Sequence, residues 1–260
     1  MAMVLYHGEP NGPSLAVLAA LAESGVAVER RRIHLLAGER HALPGVTEPL
    51  ARDMGIEGEG PVLVIDGEAM TESVFLAQFF DELSDRPSLQ PRDPHAHWEM
   101  MMWCRQITER LSPAAALLGN LAVSRKGLAT MPDGAFSALI DRIVSADLRA
   151  RWEVLRDGAA DPAQVEDSRA KVSQAVERCE GKLADGREWL MGDLTIADFE
   201  TYAWLAGMQR IVPEAFADKP LTAAWLARVG ARPSVAGALA EADGEAAAFW
   251  APGPEINRWG

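Results

Sequence analysis

The chain reads as a small α/β domain followed by an all-helical domain. Short strand-like runs occur only in the first 70 or so residues. A break with three prolines follows at Arg86 to Pro94, and long amphipathic runs fill the remainder. The split falls near residue 88, giving domains 1–87 and 88–260.

Each element follows from local chemistry. Val4-Leu5-Tyr6 is a brief strand. His7 to Pro13 is rich in Gly and Pro and forms a loop. Ser14 opens an apolar-periodic run, Leu15 to Ser24, closed by Gly25; this predicts a helix with Ser14 as its N-cap candidate. Val26 to Leu35 is the second strand. Gly38 to Glu59 is irregular, with at most a short helix near Glu48 to Asp53. Val62 to Ile65 is a strand, Asp66-Gly67 a two-residue hairpin turn, and Glu68 to Met70 pairs back antiparallel. Ser73 to Leu83 is an amphipathic helix with Ser73 as a cap. The order supports one parallel crossover and one hairpin. After Pro94, helical runs cover Ala96 to Leu111, Phe136 to Arg156, Pro162 to Ala184, Thr195 to Arg210, Leu221 to Val229 and Ser234 to Ala242.

Composition excludes several classes. The 260 residues are 48% apolar and carry a formal net charge of -13, which repels nucleic-acid phosphates and anionic membranes. Neither is expected as a partner. Cys104 and Cys179 form no CxxC, so no disulfide framework or zinc ribbon follows, and a reducing cytoplasm is expected. The first residues lack signal-peptide features, and no run is long enough for a membrane helix. His95 and His97 diverge on a helix and make a poor ligand pair, so no metal is expected.

Three motifs add chemistry. Gly60-Pro61-Val62-Leu63 precedes the hairpin, Met70-Thr71-Glu72-Ser73 closes it, and Leu190 to Asp198 (LMGDLTIAD) lies far downstream. In that order and spacing they resemble the glutathione transferase family over nearly the whole chain. The resemblance implies an N-terminal thioredoxin-like domain and a C-terminal helical bundle, with glutathione as co-substrate. It also implies a cis proline at Pro61, which would aim the Gly60 backbone outward to pair with glutathione as with an added strand. Gly60 departs from the larger residue usual there. Glu72 would take the γ-glutamyl ammonium and Ser73 its carboxylate, at a helix N-terminus suited to anions. Arg40 and His41 are candidates for the glycine carboxylate, with Arg52 behind them. Thr195-x-x-Asp198 reads as a capping box with a structural role.

Glutathione chemistry needs a thiolate, and a free thiol of pKa about 8.5 is only about 3% ionised at pH 7. In the loop from His7 to Ser14, Ser14 stands where serine-type members place the activating hydroxyl. Asn11, in Pro10-Asn11-Gly12, resembles the donor of Nu-class members. Glu9 replaces the Thr usual there and puts an anion in the loop. Both Ser14 and Asn11 remain catalytic candidates. Segments Asp147 to Trp152, Met208 to Arg210 and Trp225 to Pro233 resemble the bacterial lignin β-etherases. That second resemblance implies cleavage of β-aryl ethers in lignin-derived dimers. Asn120 and the tryptophans are candidates to line an aromatic site, and Met100 to Trp103 reads first as core. Two other readings stay open: a Nu-type disulfide reductase, and a non-catalytic subunit. The family resemblance also implies a homodimer, or a heterodimer with a related subunit.

Overall fold

The computed structural model describes residues 2–43, 46 and 60–243. Four strands, β1 (Met3–His7), β2 (Glu29–Arg32), β3 (Val62–Ile65) and β4 (Glu68–Thr71), form one sheet in the order β2-β1-β3-β4. β1 and β2 are parallel, joined through helix α1 (Gly12–Ser24). β3 is antiparallel to both neighbours. Its hairpin turns on Asp66 and Gly67, with φ of 49 and 95 degrees, the positive pair a two-residue turn needs. Helix α2 (Ser73–Glu82) follows β4 directly.

Several boundaries differ from expectation. α1 begins at Gly12 and is capped by Asn11, not Ser14. Pro13 fits its first turn because an N–H there has no intrahelical partner to lose. Gly25 closes the helix with φ of 69 degrees. Glu72, not Ser73, precedes the first residue of α2. The second strand keeps only Glu29–Arg32, an edge segment of mostly exposed charged residues. Beyond it the chain turns tightly at Leu35–Ala37 and Glu39–Ala42. The helix expected near Glu48 to Asp53, and Arg52 with it, lies outside the described residues.

From Pro94 the described residues are almost wholly helical. α3 (Pro94–Gln106) is capped by Asp93, whose carboxylate accepts from the Ala96 N–H at 2.9 Å. The helix expected to stop at Leu111 instead continues. A π turn (Ile107–Leu111) leads into α4 (Ser112–Gly119), and a second (Asn120–Ser124) into α5 (Arg125–Thr130). The run from Phe136 to Arg156 is two helices, α6 (Asp133–Ile140) and α7 (Ala146–Asp157), because Ser145 caps the second through Leu148 N–H. Then come α8 (Pro162–Leu183), α9 (Ile196–Leu205), α10 (Met208–Ile211), α11 (Pro220–Gly230) and α12 (Pro233–Ala240). No helix among the described residues is long and apolar enough to cross a membrane.

One apolar core runs through both halves. It joins Leu5, Leu63 and Phe80 to Met100, Trp204 and Trp225, so the sheet's helices pack directly on the bundle. Leu128, Phe136 and Trp152 anchor a smaller cluster under α5 to α7. Met100 and Trp103 are buried in the main core, as the core reading of that run expects. Cys104 and Cys179 are buried and unlinked, and burial pushes both thiols up, so neither is a ready nucleophile. Asp198 builds the capping box as expected. Its carboxylate accepts from Thr195 N–H at 2.9 Å, Leu190 N–H at 3.0 Å and the Trp225 indole at 2.9 Å.

Candidate functional site

Sheet register gathers the candidate residues at one end. Tyr6 lies opposite Val62, and Val62 opposite Thr71. The loop leaving β1, the Gly60-Pro61 entry to β3 and the Glu72-Ser73 exit from β4 therefore share that end. Pro61 C=O accepts from Thr71 Oγ1 at 3.0 Å, tying two of the three segments together.

The first segment is the head of α1. Asn11, Gly12, Pro13 and Ser14 are all buried. Ser14 Oγ accepts from Gly8 N–H at 3.0 Å, which closes the loop but leaves the hydroxyl proton with no acceptor among the described residues. Asn11 makes no side-chain cap bond, and its buried Oδ1 has no hydrogen-bond partner. A buried amide oxygen without a partner calls for an explanation, and a ligand donor is one. Both groups stand at the positive end of a thirteen-residue helix. Glu9 does not present a bare anion here: its carboxylate pairs with Arg32 and accepts from Asp243 N–H. His7 is held neutral by burial, its pKa lowered.

The second segment corrects an expectation. Among the described residues no peptide bond is cis, so Gly60–Pro61 is trans. Gly60 C=O is turned to Arg40, whose Nε donates to it at 3.1 Å, rather than outward. Arg40 is 1% exposed and His41 is also buried, so neither is the solvated loop charge their type suggests. Arg40 braces the loop from inside.

The third segment holds a residue that sequence reasoning missed. Glu72 has φ 78 and ψ 112 degrees, strained for a non-glycine residue by roughly 1–3 kcal/mol. Ser73 Oγ–H donates to Glu200 Oε1 from α9. Glu200 is 0% exposed, and its Oε2 has no partner. Burial, opposed by the Ser73 bond and aided by the Glu72 charge, pushes its pKa up to about 7. The available signal was an acid within an otherwise apolar helix start, Ile196 to Tyr202.

That raised pKa sets a pH dependence. A folded-state pKa above the unfolded value means folding favours the protonated form. The contribution is full below about pH 4.5 and is lost as pH rises through about 7. Urea unfolding at pH 5 and pH 8 should show wild type losing roughly 3 kcal/mol relative to Glu200→Gln. Equal pH slopes for the two proteins would refute this.

Near the first segment lies a cavity of about 310 Å³ lined by Pro10, Leu15, Tyr202, Gln209, Leu226 and Gly230, among others. A Cβ on residue 230 would meet Tyr202 Oη at 2.8 Å, so glycine there makes room for the phenol. Burial raises the Tyr202 pKa, keeping it a donor at neutral pH. Gln209 and the stretch from Leu226 to Gly230 come from two of the three segments singled out in the sequence. The third, Asp147 to Trp152, lies on α7, with Trp152 in the smaller core. Asn120 is buried in its π turn and accepts from Ser124 Oγ at 2.7 Å. Trp152, Trp204 and Trp225 are core side chains.

This architecture is the glutathione transferase fold, and residues 135–233 match the family model described as "Glutathione S-transferase, C-terminal domain". Among solved structures, the β-etherase LigF from Sphingobium sp. strain SYK-6 superposes with a TM-score of 0.81 at 24% identity, over 93% of this chain and all of that one. A Burkholderia graminis glutathione transferase with two glutathione molecules bound per subunit gives 0.63 at 19% identity, covering 92% of this chain and 88% of its own. A Phanerochaete chrysosporium glutathione transferase in complex with oxidized glutathione gives 0.64 at 20% identity, covering 92% and 95%. No curated protein sequence matches the chain.

Proposed function

We propose that the chain is a glutathione transferase that cleaves β-aryl ether bonds of lignin-derived aromatic dimers. The observation that carries this reading is the TM-score of 0.81 to a β-etherase over its full length, against 0.60 to 0.65 for other glutathione transferases. The two lignin-etherase-like segments that meet at the cavity support it further.

Glu72 and Ser73 grip the γ-glutamyl end of glutathione, and Arg40, bonded to Gly60 C=O, braces the neighbouring loop from inside. Asn11 and Ser14 donate to the sulfur. The thiolate attacks the carbon that bears the aryl ether and lies next to a ketone. A C–S bond forms, the C–O bond breaks, and its electron pair leaves on the phenolate, which takes up a proton. Positioning and a donor for the leaving oxygen are the main demands.

In this reading the aromatic dimer occupies the cavity, and Tyr202 donates to the leaving oxygen. Tyr202→Phe should lower kcat for the ether about tenfold and leave glutathione affinity unchanged. Steady-state kinetics with glutathione titrations checks this, and an unaltered kcat would remove Tyr202 from the reaction.

The parent test supplies a β-aryl ether ketone and a mixed disulfide in parallel, each with glutathione. Phenol release with a matching glutathione thioether supports the etherase. Disulfide turnover without phenol favours a second reading, a Nu-type reductase, for which the Pro10-Asn11-Gly12 run at the head of α1 is the motivating observation. We propose dimerisation with a second copy or a related chain; Phe75 and Trp98, each 57% exposed on α2 and α3, are the apolar side chains it would cover. A monomer in sedimentation at micromolar concentration would contradict that.

A further inference from the structure

We infer that Glu200 is a positioning residue for the γ-glutamyl carboxylate of glutathione: its protonated form donates to Ser73 Oγ and turns the Ser73 proton toward the ligand. This rests on the glutathione-binding reading above and adds to it a group and a coupled proton.

A hydroxyl has one proton. In the structure Ser73 spends it on Glu200 Oε1, so Ser73 faces a ligand carboxylate only with lone pairs. Lone pairs against a carboxylate repel. The conflict is removed if Glu200 carries a proton and donates it to Ser73 Oγ, because the Ser73 proton is then free for the ligand. An ionised carboxylate buried at 0% exposure with one oxygen unpartnered is costly, whereas a neutral acid there is not.

The surroundings favour the neutral form. Glu72, at the head of α2, is the charged group that adds to the upward push, and burial is the main cause. Cys104 on α3 faces Glu200 and Asp198 and is itself pushed up by burial and by both carboxylates, so it supplies no counter-charge. Asp198, on Glu200's own helix, is engaged by Leu190, Thr195 and Trp225. α1 packs against α9 through an apolar face, and α11 brings Trp225 to Asp198. No cation contributes to the Glu200 shift. With a pKa of about 7, the site is about half protonated near neutrality.

Ligand binding then takes up a proton. The test uses S-methylglutathione, which has no thiol to ionise, titrated calorimetrically in two buffers of different ionisation enthalpy. Wild type should take up about half a proton per site at pH 7, rising toward one at pH 8. Its affinity should fall about tenfold between pH 6 and pH 8. Glu200→Gln keeps a permanent donor to Ser73, so it should bind with no proton uptake and a flat pH profile. Glu200→Ala should bind more weakly at both pH values, with the glutamine variant restoring affinity. Ser73→Ala should abolish the uptake as well. Wild-type binding without proton uptake overturns the inference and leaves the glutathione reading standing. Uptake that persists in Glu200→Gln overturns it too. No binding at either pH overturns the reading itself, and the inference with it.

Discussion

Replacing Asn11 and Ser14 together by alanine should lower kcat/KM for glutathione about 100-fold. Moving a thiol pKa down by about two units requires roughly 2.7 kcal/mol of preferential stabilisation of the thiolate. Two hydrogen-bond donors at a helix N-terminus supply an effect of that size. Each single variant should lose about tenfold, because the other donor and the helix end remain. The fold should survive. Asn11 loses no side-chain hydrogen bond of its own, and Ser14 loses only the bond from the buried Gly8 N–H, about 1–3 kcal/mol. The loss should shrink as assay pH approaches the free thiol value, since the uncatalysed fraction of thiolate then rises. A loss independent of pH would mean that the two residues position glutathione and do not ionise it.

The largest effect on stability belongs to Asp198. Asp198→Ala strips the acceptor from Leu190 N–H, Thr195 N–H and the Trp225 indole at once, all inside the core. Each buried donor left without a partner costs about 1–3 kcal/mol. The variant should lose roughly 4 kcal/mol or more in urea unfolding, a large share of a typical domain's stability. Asp198→Asn keeps an acceptor oxygen and nearly the same volume, so it should lose markedly less. A difference below about 1 kcal/mol between wild type and Asp198→Ala would show that the box is dispensable. Glutathione affinity per folded molecule should not change, since Asp198 bonds Leu190, Thr195 and Trp225 and makes no bond to Ser73.

Much of this was legible in the residues because it rests on local chemistry. The Asp66-Gly67 turn forces its hairpin, Gly25 stops α1, and Thr195 with Asp198 starts α9, each through one or two residues whose backbone preferences are strong. Helix starts were misplaced where residue type and position compete. Ser14 and Ser73 are good caps by type, yet Pro13 favours an earlier start to α1 and the strained turn at Glu72 fixes α2. The break between α6 and α7 was missed because the apolar pattern runs on through it, while only Ser145 marks the new cap. Contacts between distant segments were not legible at all. Glu200 meets Ser73 across 127 positions, and nothing in either neighbourhood announces the other. Arg40 was read as a partner for the glycine carboxylate for the same reason, since its bond to Gly60 forms only once the loop closes over it.

The central claim is that the head of α1 binds the sulfur of glutathione and ionises it. Its most direct measurement is an ultraviolet titration of the thiolate in the glutathione complex of the wild-type chain. Half-ionisation is expected about two pH units below the free thiol value of about 8.5, with a return toward that value in the Asn11→Ala, Ser14→Ala double variant. Bound glutathione whose thiol titrates as it does in free solution would contradict it.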